Sequence, residues 1–153
     1  MAEPSVVPSV FYRDPLAALE WLQQAFGFEL RMLLLDGEGR LAHSQLGWGQ
    51  GEISVGGEWA DWTRSPAGLS GANTQSLRIT LESDIDAHCA RAKAAGARIV
   101  AEPADQFYGA RTYRALDPEG HCWVFSQAVR EVSFEDMEKA SGLRFAAAPA
   151  AST

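Results

Sequence analysis

Cysteine is scarce, with two in 153 residues, Cys89 and Cys122. Both fall inside patterned apolar stretches, which reads as two buried free thiols rather than a disulfide and points to a reducing, cytoplasmic setting. There is no run of about 18 apolar residues, so no membrane-spanning helix is expected. The opening MAEPSVVPSV lacks a basic start and a long apolar stretch, so no secretion signal is read there. Basic side chains are outnumbered, 13 Lys and Arg against 20 Asp and Glu, for a formal charge of −7. Nucleic-acid binding needs a basic face, so that partner is excluded. The acidic balance is compatible with a cationic ligand, and equally with solubility alone. Histidine is limited to His43, His88 and His121, which share no metal-ligand spacing. His88 reads as a helix-surface residue, His121 as a cap on a turn, and His43 as a polar group near a cavity. GxSxG is absent, Cys122 has no base nearby in the pattern, and Gly47, Gly49 and Gly51 look like hairpin glycines rather than a phosphate cradle.

What the chain does have is a repeat at an offset of 69 residues. Gly27 falls on Gly96, Gly51 on Gly120, Val55 on Val124, Ala18 on Ala87 and Ala25 on Ala94. Val10, Leu16 and Leu30 fall on Ile79, Ile85 and Ile99. A repeat of this kind sets the architecture before any motif does.

Each half reads as strand, helix, then three strands. VVPSVFY is β-branched and aromatic. Asp14-Pro15 starts a helix, with a capping carboxylate and a proline in the first turn, and Gly27 stops it. FELRMLLLD, RLAHSQLGW and EISVGG follow as strands. In the second half SLRITLE is a strand, Asp84 caps a helix closed by Gly96, and ARIVAEP is a strand. RTYRALDPEGHCWVF is a hairpin turning on Asp117-Pro118-Glu119-Gly120. A linker, 56–74, carries Trp59 and Trp62. Ser133 and Asp136 open a last helix that Gly142 stops, within a segment 129–145, and the tail 146–153 is expected to be mobile.

Two βαβββ units, the second ending in DPEGHCWVF, together with EWLQQAFGFEL and AGARIVAEPADQFYG, resemble the glyoxalase/bleomycin-resistance/extradiol-dioxygenase family, the vicinal oxygen chelate superfamily, and most closely its glyoxalase-like bacterial branch. The resemblance covers about residues 5–128, with one repeat at about 6–57 and the other at about 75–127. It implies an α+β fold in which two tandem units form incomplete barrels around a shared cavity, and it implies a homodimer. Metal-dependent relatives place His, Glu or Gln on the first and last strand of each half. By the family's pattern those four slots fall here on Val7, Val55, Ser76 and Val124. Valine and serine cannot hold a divalent ion in such a site, so no metal and no cofactor is expected.

Alternation along the strands places Ser9, Phe11 and Arg78 on the cavity side. A four-residue DPEG turn would pair Tyr113 with Val124 and Arg111 with Ser126, so Arg111 and Tyr113 join that side, with Ile53, Val55 and Cys122. Arg78 on a strand face either meets a carboxylate, across a subunit interface included, or awaits an anionic or carbonyl group of a ligand. Trp48, Trp59 and Trp62, with Phe107 and Tyr108 in a second loop, suit either stacking on a planar ligand or dimer packing. The expected function is a metal-independent small-molecule binding protein that sequesters an antibiotic or aromatic compound. The alternatives are a lyase, isomerase or dioxygenase of the same superfamily with an atypical site, and a domain that acts through a protein partner.

Overall fold

The computed structural model describes residues 4–147. β1 (Ser9–Tyr12) leads into α1 (Pro15–Phe26), followed by β2 (Glu29–Leu35), β3 (Leu41–Trp48) and β4 (Gly51–Gly57). The second half repeats the series as β5 (Ser76–Leu81), α2 (Ile85–Ala94), β6 (Arg98–Asp105), β7 (Ala110–Leu116) and β8 (Cys122–Ala128). α3 (Phe134–Ser141) follows. The tail expected to be mobile lies, from residue 148 on, outside the described residues.

Each half forms one open, four-stranded sheet, in the orders β1-β4-β3-β2 and β5-β8-β7-β6. The first strand of each half runs parallel to the last, and the other pairs are antiparallel. Neither sheet closes, so the architecture is α+β with two incomplete barrels.

The helices take one face of each sheet because one face is apolar. Val10, Tyr12, Leu46, Ile53 and Val55 from the first sheet join Ile79, Leu81, Tyr113, Ala115, Trp123 and Phe125 from the second in a single core with α1 and α2. Trp123 and Phe125 are fully buried, worth about 2–3 kcal/mol each from burial alone. α1 forms as its sequence dictates. The Asp14 carboxylate accepts from the Ala17 amide at 3.1 Å, and Gly27 closes the helix at φ 89°, a conformation glycine adopts freely. α2 departs from expectation. Asp84 stands at the N-cap with φ 55° and its side chain caps nothing. The Gln127 side chain accepts from the Ile85 amide instead, at 2.9 Å.

The repeat also slips. Val10 and Ile79 correspond at the expected offset of 69, but Val10 pairs with Val55 while Ile79 pairs with Phe125. On the last strand the structural offset is therefore one residue longer. The turn between β7 and β8 pairs Leu116 with Cys122 rather than with His121. The cause is Asp117, which is drawn into the core. Its carboxylate accepts from the Tyr12 hydroxyl at 2.5 Å, the Trp123 indole at 3.0 Å, and the amides of Glu119 and His121, both at 3.0 Å. That hub holds the turn one residue wider than a plain DPEG turn, and it reverses the face of every side chain on β7.

Candidate functional site

The C-terminal half of α1 lies alongside α2, and the halves exchange hydrogen bonds there. His88 on α2 donates from Nε2 to the Phe26 carbonyl at 2.7 Å and accepts at Nδ1 from the Tyr113 hydroxyl at 2.6 Å. This is the neutral imidazole with one defined tautomer. Arg91 donates to the carbonyls of Gln24 and Gln23 at 2.9 and 3.2 Å. Trp21 returns the favour, donating to Ala95 at 2.7 Å. The carbonyls of Gln24 and Phe26, in the last turn of α1, have no successor in the helix to serve them, so the second half completes the first half's helix. Burial holds His88 below the usual imidazole range, against a raising effect of the Phe26 carbonyl, with the Arg91 charge lowering it further. Burial also raises the Tyr113 hydroxyl well above its usual value. His88 is thus an interior joint, not the helix-surface residue that its sequence position suggested.

The faces turned away from the helices are open, and on β1 and β5 they carry the side chains that strand alternation assigns there. On the first sheet these include Ser9 and Phe11, paired with Ser54 and Gly56. Beside them runs a groove of about 800 Å³ lined by Phe11, Arg13, Asp14, Arg40, His43, Ser54, Glu58 and Trp59, among others. The groove is built from the first half and the start of the linker. His43 is on its wall, as its position on β3 led us to expect. Trp59 and Trp62 are exposed and meet edge to face, their rings 4.9 Å apart.

On the second sheet Arg78, Val124 and Arg114 lie in one row across β5, β8 and β7. Both arginines are exposed, and among the described residues neither forms an ion pair. Burial pushes the Cys122 thiol up, while the charge of Arg114 pulls it back.

Several expected site residues sit elsewhere. Tyr113 pairs with Phe125, not Val124, and is buried against the helices. Arg111 pairs with Gln127 on the same helix-facing side and bridges Asp86 at 3.0 Å and Asp105 at 3.1 Å. Both misplacements follow from the wider β7–β8 turn. Val55 and Ile53 also point into the core, so the open-face position on β4 is Ser54. Trp48 packs edge-on against Phe28 and His88 and donates to the Thr80 carbonyl at 3.0 Å. Phe107 and Tyr108 lie 5.1 Å apart, edge to face, beside α3. Arg114 escaped the sequence reading. Counting the turn as five residues would have found it, and the signal for that was an aspartate able to serve both turn amides and core hydroxyls.

The donor chemistry of the open faces is poor for a metal. The four expected slots hold Val7, Val55, Ser76 and Val124, and the residues that the structure puts beside them on the open faces are Ser54 and Cys122. Among the described residues no three His, Cys, Asp or Glu side chains gather as a metal-binding group. No helix among them is long and apolar enough to cross a membrane.

Known proteins share this arrangement. TioX from Micromonospora sp. ML1 is 33% identical and superposes with a TM-score of 0.65, over 85% of this chain and 100% of that one. TnmS3, an antibiotic binding protein from Streptomyces sp. CB03234, is 21% identical with a TM-score of 0.62, over 84% of this chain and 99% of that one. At that identity the likeness is one of fold. An uncharacterized protein of Mycobacterium tuberculosis (strain ATCC 25618 / H37Rv) is 28% identical over 142 residues, 90% of this chain and 82% of the relative. Residues 6–125 match the model of the Glyoxalase/Bleomycin resistance protein/Dioxygenase superfamily, and the chain belongs to that superfamily.

Proposed function

We propose that this protein binds a small aromatic compound, of the kind represented by planar antibiotics, and acts by sequestering it without a metal and without changing it. The observation that carries the reading is the first-half groove. It offers about 800 Å³ of space with two aromatic walls, Phe11 and Trp59, and a polar surround that includes Arg13, Asp14, Arg40, His43 and Glu58. A concave site that sets aromatic surface beside orienting polar groups suits a small molecule. The strand positions where a metal-dependent relative keeps its ligands carry hydrocarbon or hydroxyl side chains, which supports non-covalent holding over metal-assisted chemistry. That a protein of the same fold is an antibiotic binding protein is in keeping with this. In this reading the protein works as a homodimer in which each copy supplies one wall of the cleft.

The test is a titration with two planar compounds, 1-pyrenebutanol and daunorubicin, followed through tryptophan fluorescence. Trp59 and Trp62 are exposed reporters. Saturable quenching by either compound, unchanged after dialysis against EDTA and with the compound recovered intact, is expected. No saturation with either, loss of binding with EDTA, or conversion of the compound overturns the reading.

A further inference from the structure

The open face of the second sheet is cationic in an acidic protein. Arg78 and Arg114 flank Val124, one on each neighbouring strand. With strands roughly 4.8 Å apart, their Cα atoms are about 10 Å from one another. Arg98, across from Leu116, adds a third arginine on the same side. The strand positions that share this face are otherwise small, apolar or hydroxyl-bearing, and none is a carboxylate. This happens in a chain of formal charge −7.

Elsewhere in the molecule the cations are mostly engaged. Arg40 meets Asp36 and Glu38, Arg64 meets Glu58, Lys93 meets Glu102, and Arg111 meets two aspartates. Arg31 lies over Gly47 and donates to the carbonyls of Gly49 and Gly51. Glu102, the carboxylate on β6 that comes nearest in sequence, turns to the helix side and holds Lys93 at 3.0 Å. Among the described residues Arg78 and Arg114 form no ion pair, and both stand exposed on the open face. Guanidinium forks match planar or tetrahedral anions, two hydrogen bonds at a time.

We propose that the second sheet is the charge-reading wall of the ligand site, and that Arg78 and Arg114 select a ligand bearing an anionic group, a carboxylate, sulfonate or phosphate, attached to an aromatic body. This rests on the small-molecule reading above and sharpens it. The net charge of the whole chain, which is compatible with a cationic ligand, gives way to the local field of one face. The two faces then divide the work. The first sheet and linker supply aromatic surface, and the second sheet supplies the counter-charge.

The experiment uses three pyrene probes that differ in charge: 1-pyrenebutyrate (anionic), 1-pyrenebutanol (neutral) and 1-pyrenemethylammonium (cationic). Fluorescence anisotropy gives their affinities for the wild type and for Arg78→Gln, Arg114→Gln and the double variant. Pyrenebutyrate is expected to bind at least about tenfold tighter than pyrenebutanol, the size of one charge-assisted hydrogen bond. Each single variant should lose about threefold for pyrenebutyrate, and the double variant should erase the preference while its affinity for pyrenebutanol stays put. Both side chains are exposed, so the variants should fold, and matching circular dichroism and urea midpoints check this. Equal binding of the anionic and neutral probes, or preference for the cation, overturns the inference and leaves the small-molecule reading standing. Failure of all three probes overturns the inference, and failure of daunorubicin with them overturns both. If the double variant keeps the probe preference but loses self-association in sedimentation equilibrium, the arginines serve a second copy's carboxylates, and the inference is wrong.

Discussion

The first sheet sets Glu29 and Glu52 opposite Gly47 on its open side and folds Arg31 down over that glycine. The second sheet carries Arg78, Arg98 and Arg114 on the corresponding side and no carboxylate. On the side that meets the helices both sheets stay packed and largely apolar, although the side chains differ in size, Val10 and Val55 answering Ile79 and Phe125, and Ile53 answering Trp123. A duplicated unit keeps its packed face because each inward side chain must fit its neighbours. Its open face is released from that constraint, and this is where the halves have diverged. The contrast is what the proposed binding on the open faces requires, while the joint between the helices and the Asp117 hub hold the halves together.

The largest effect should come from breaking the polar hub at the β7–β8 turn. Asp117→Ala leaves the Tyr12 hydroxyl and the Trp123 indole buried without an acceptor. A loss of about 3–4 kcal/mol in urea unfolding is expected, as for other buried charged hydrogen-bond centres. If the loss is under about 1 kcal/mol, the turn and not the carboxylate holds the halves together.

A smaller effect should follow from the histidine. Tyr113→Phe removes the donor that serves His88 Nδ1, at about 1–2 kcal/mol. The pH dependence gives the sign. The folded-state pKa of His88 is lowered, chiefly by burial, so the unfolded chain takes up the proton more readily. The stability that this group contributes is in full force above the unfolded value of about 6.5 and is lost as pH falls through the lower folded value. Unfolding midpoints measured from pH 7.5 down to 5 should fall in the wild type. In His88→Gln that part of the slope should vanish, and an unchanged slope would remove His88 from the joint.

On the open side, Trp59→Ala should weaken pyrenebutanol by up to about tenfold, the worth of one aromatic contact, with no change in unfolding. The smallest effect belongs to Arg111→Met. Its two aspartate partners lie on the helix side, so probe affinity should not move at all. A loss like that of Arg114→Gln would mean that β7 presents the opposite face to the ligand, and the contrast between the sheets would need redrawing.

Much of the fold was legible because its signals are local or repeated. Asp14-Pro15 and Gly27 bracket α1, and the alternation of Leu77, Ile79 and Leu81 marks a half-buried strand. The site was harder to read because its faces depend on one turn. A single extra residue after Leu116 exchanges Tyr113 and Arg111 for Arg114 and Thr112 on the open side. That residue is set by Asp117 reaching Tyr12, a contact across 105 positions, and no local pattern carries it. His88 was misread for a related reason. Its partners, Phe26 and Tyr113, come from two distant segments, while its own helix is only weakly amphipathic in sequence.

The central claim is non-covalent, metal-independent binding in the first-half groove, with the second sheet of the other copy as its facing wall. Its most direct measurement is equilibrium binding of 1-pyrenebutyrate by anisotropy before and after exhaustive dialysis against EDTA, with the probe recovered and analysed. We predict one saturable site per chain, the same affinity on both sides of the dialysis, and chemically unaltered probe. Binding that disappears with the chelator and returns with an added divalent ion, or a probe that comes back modified, would contradict it.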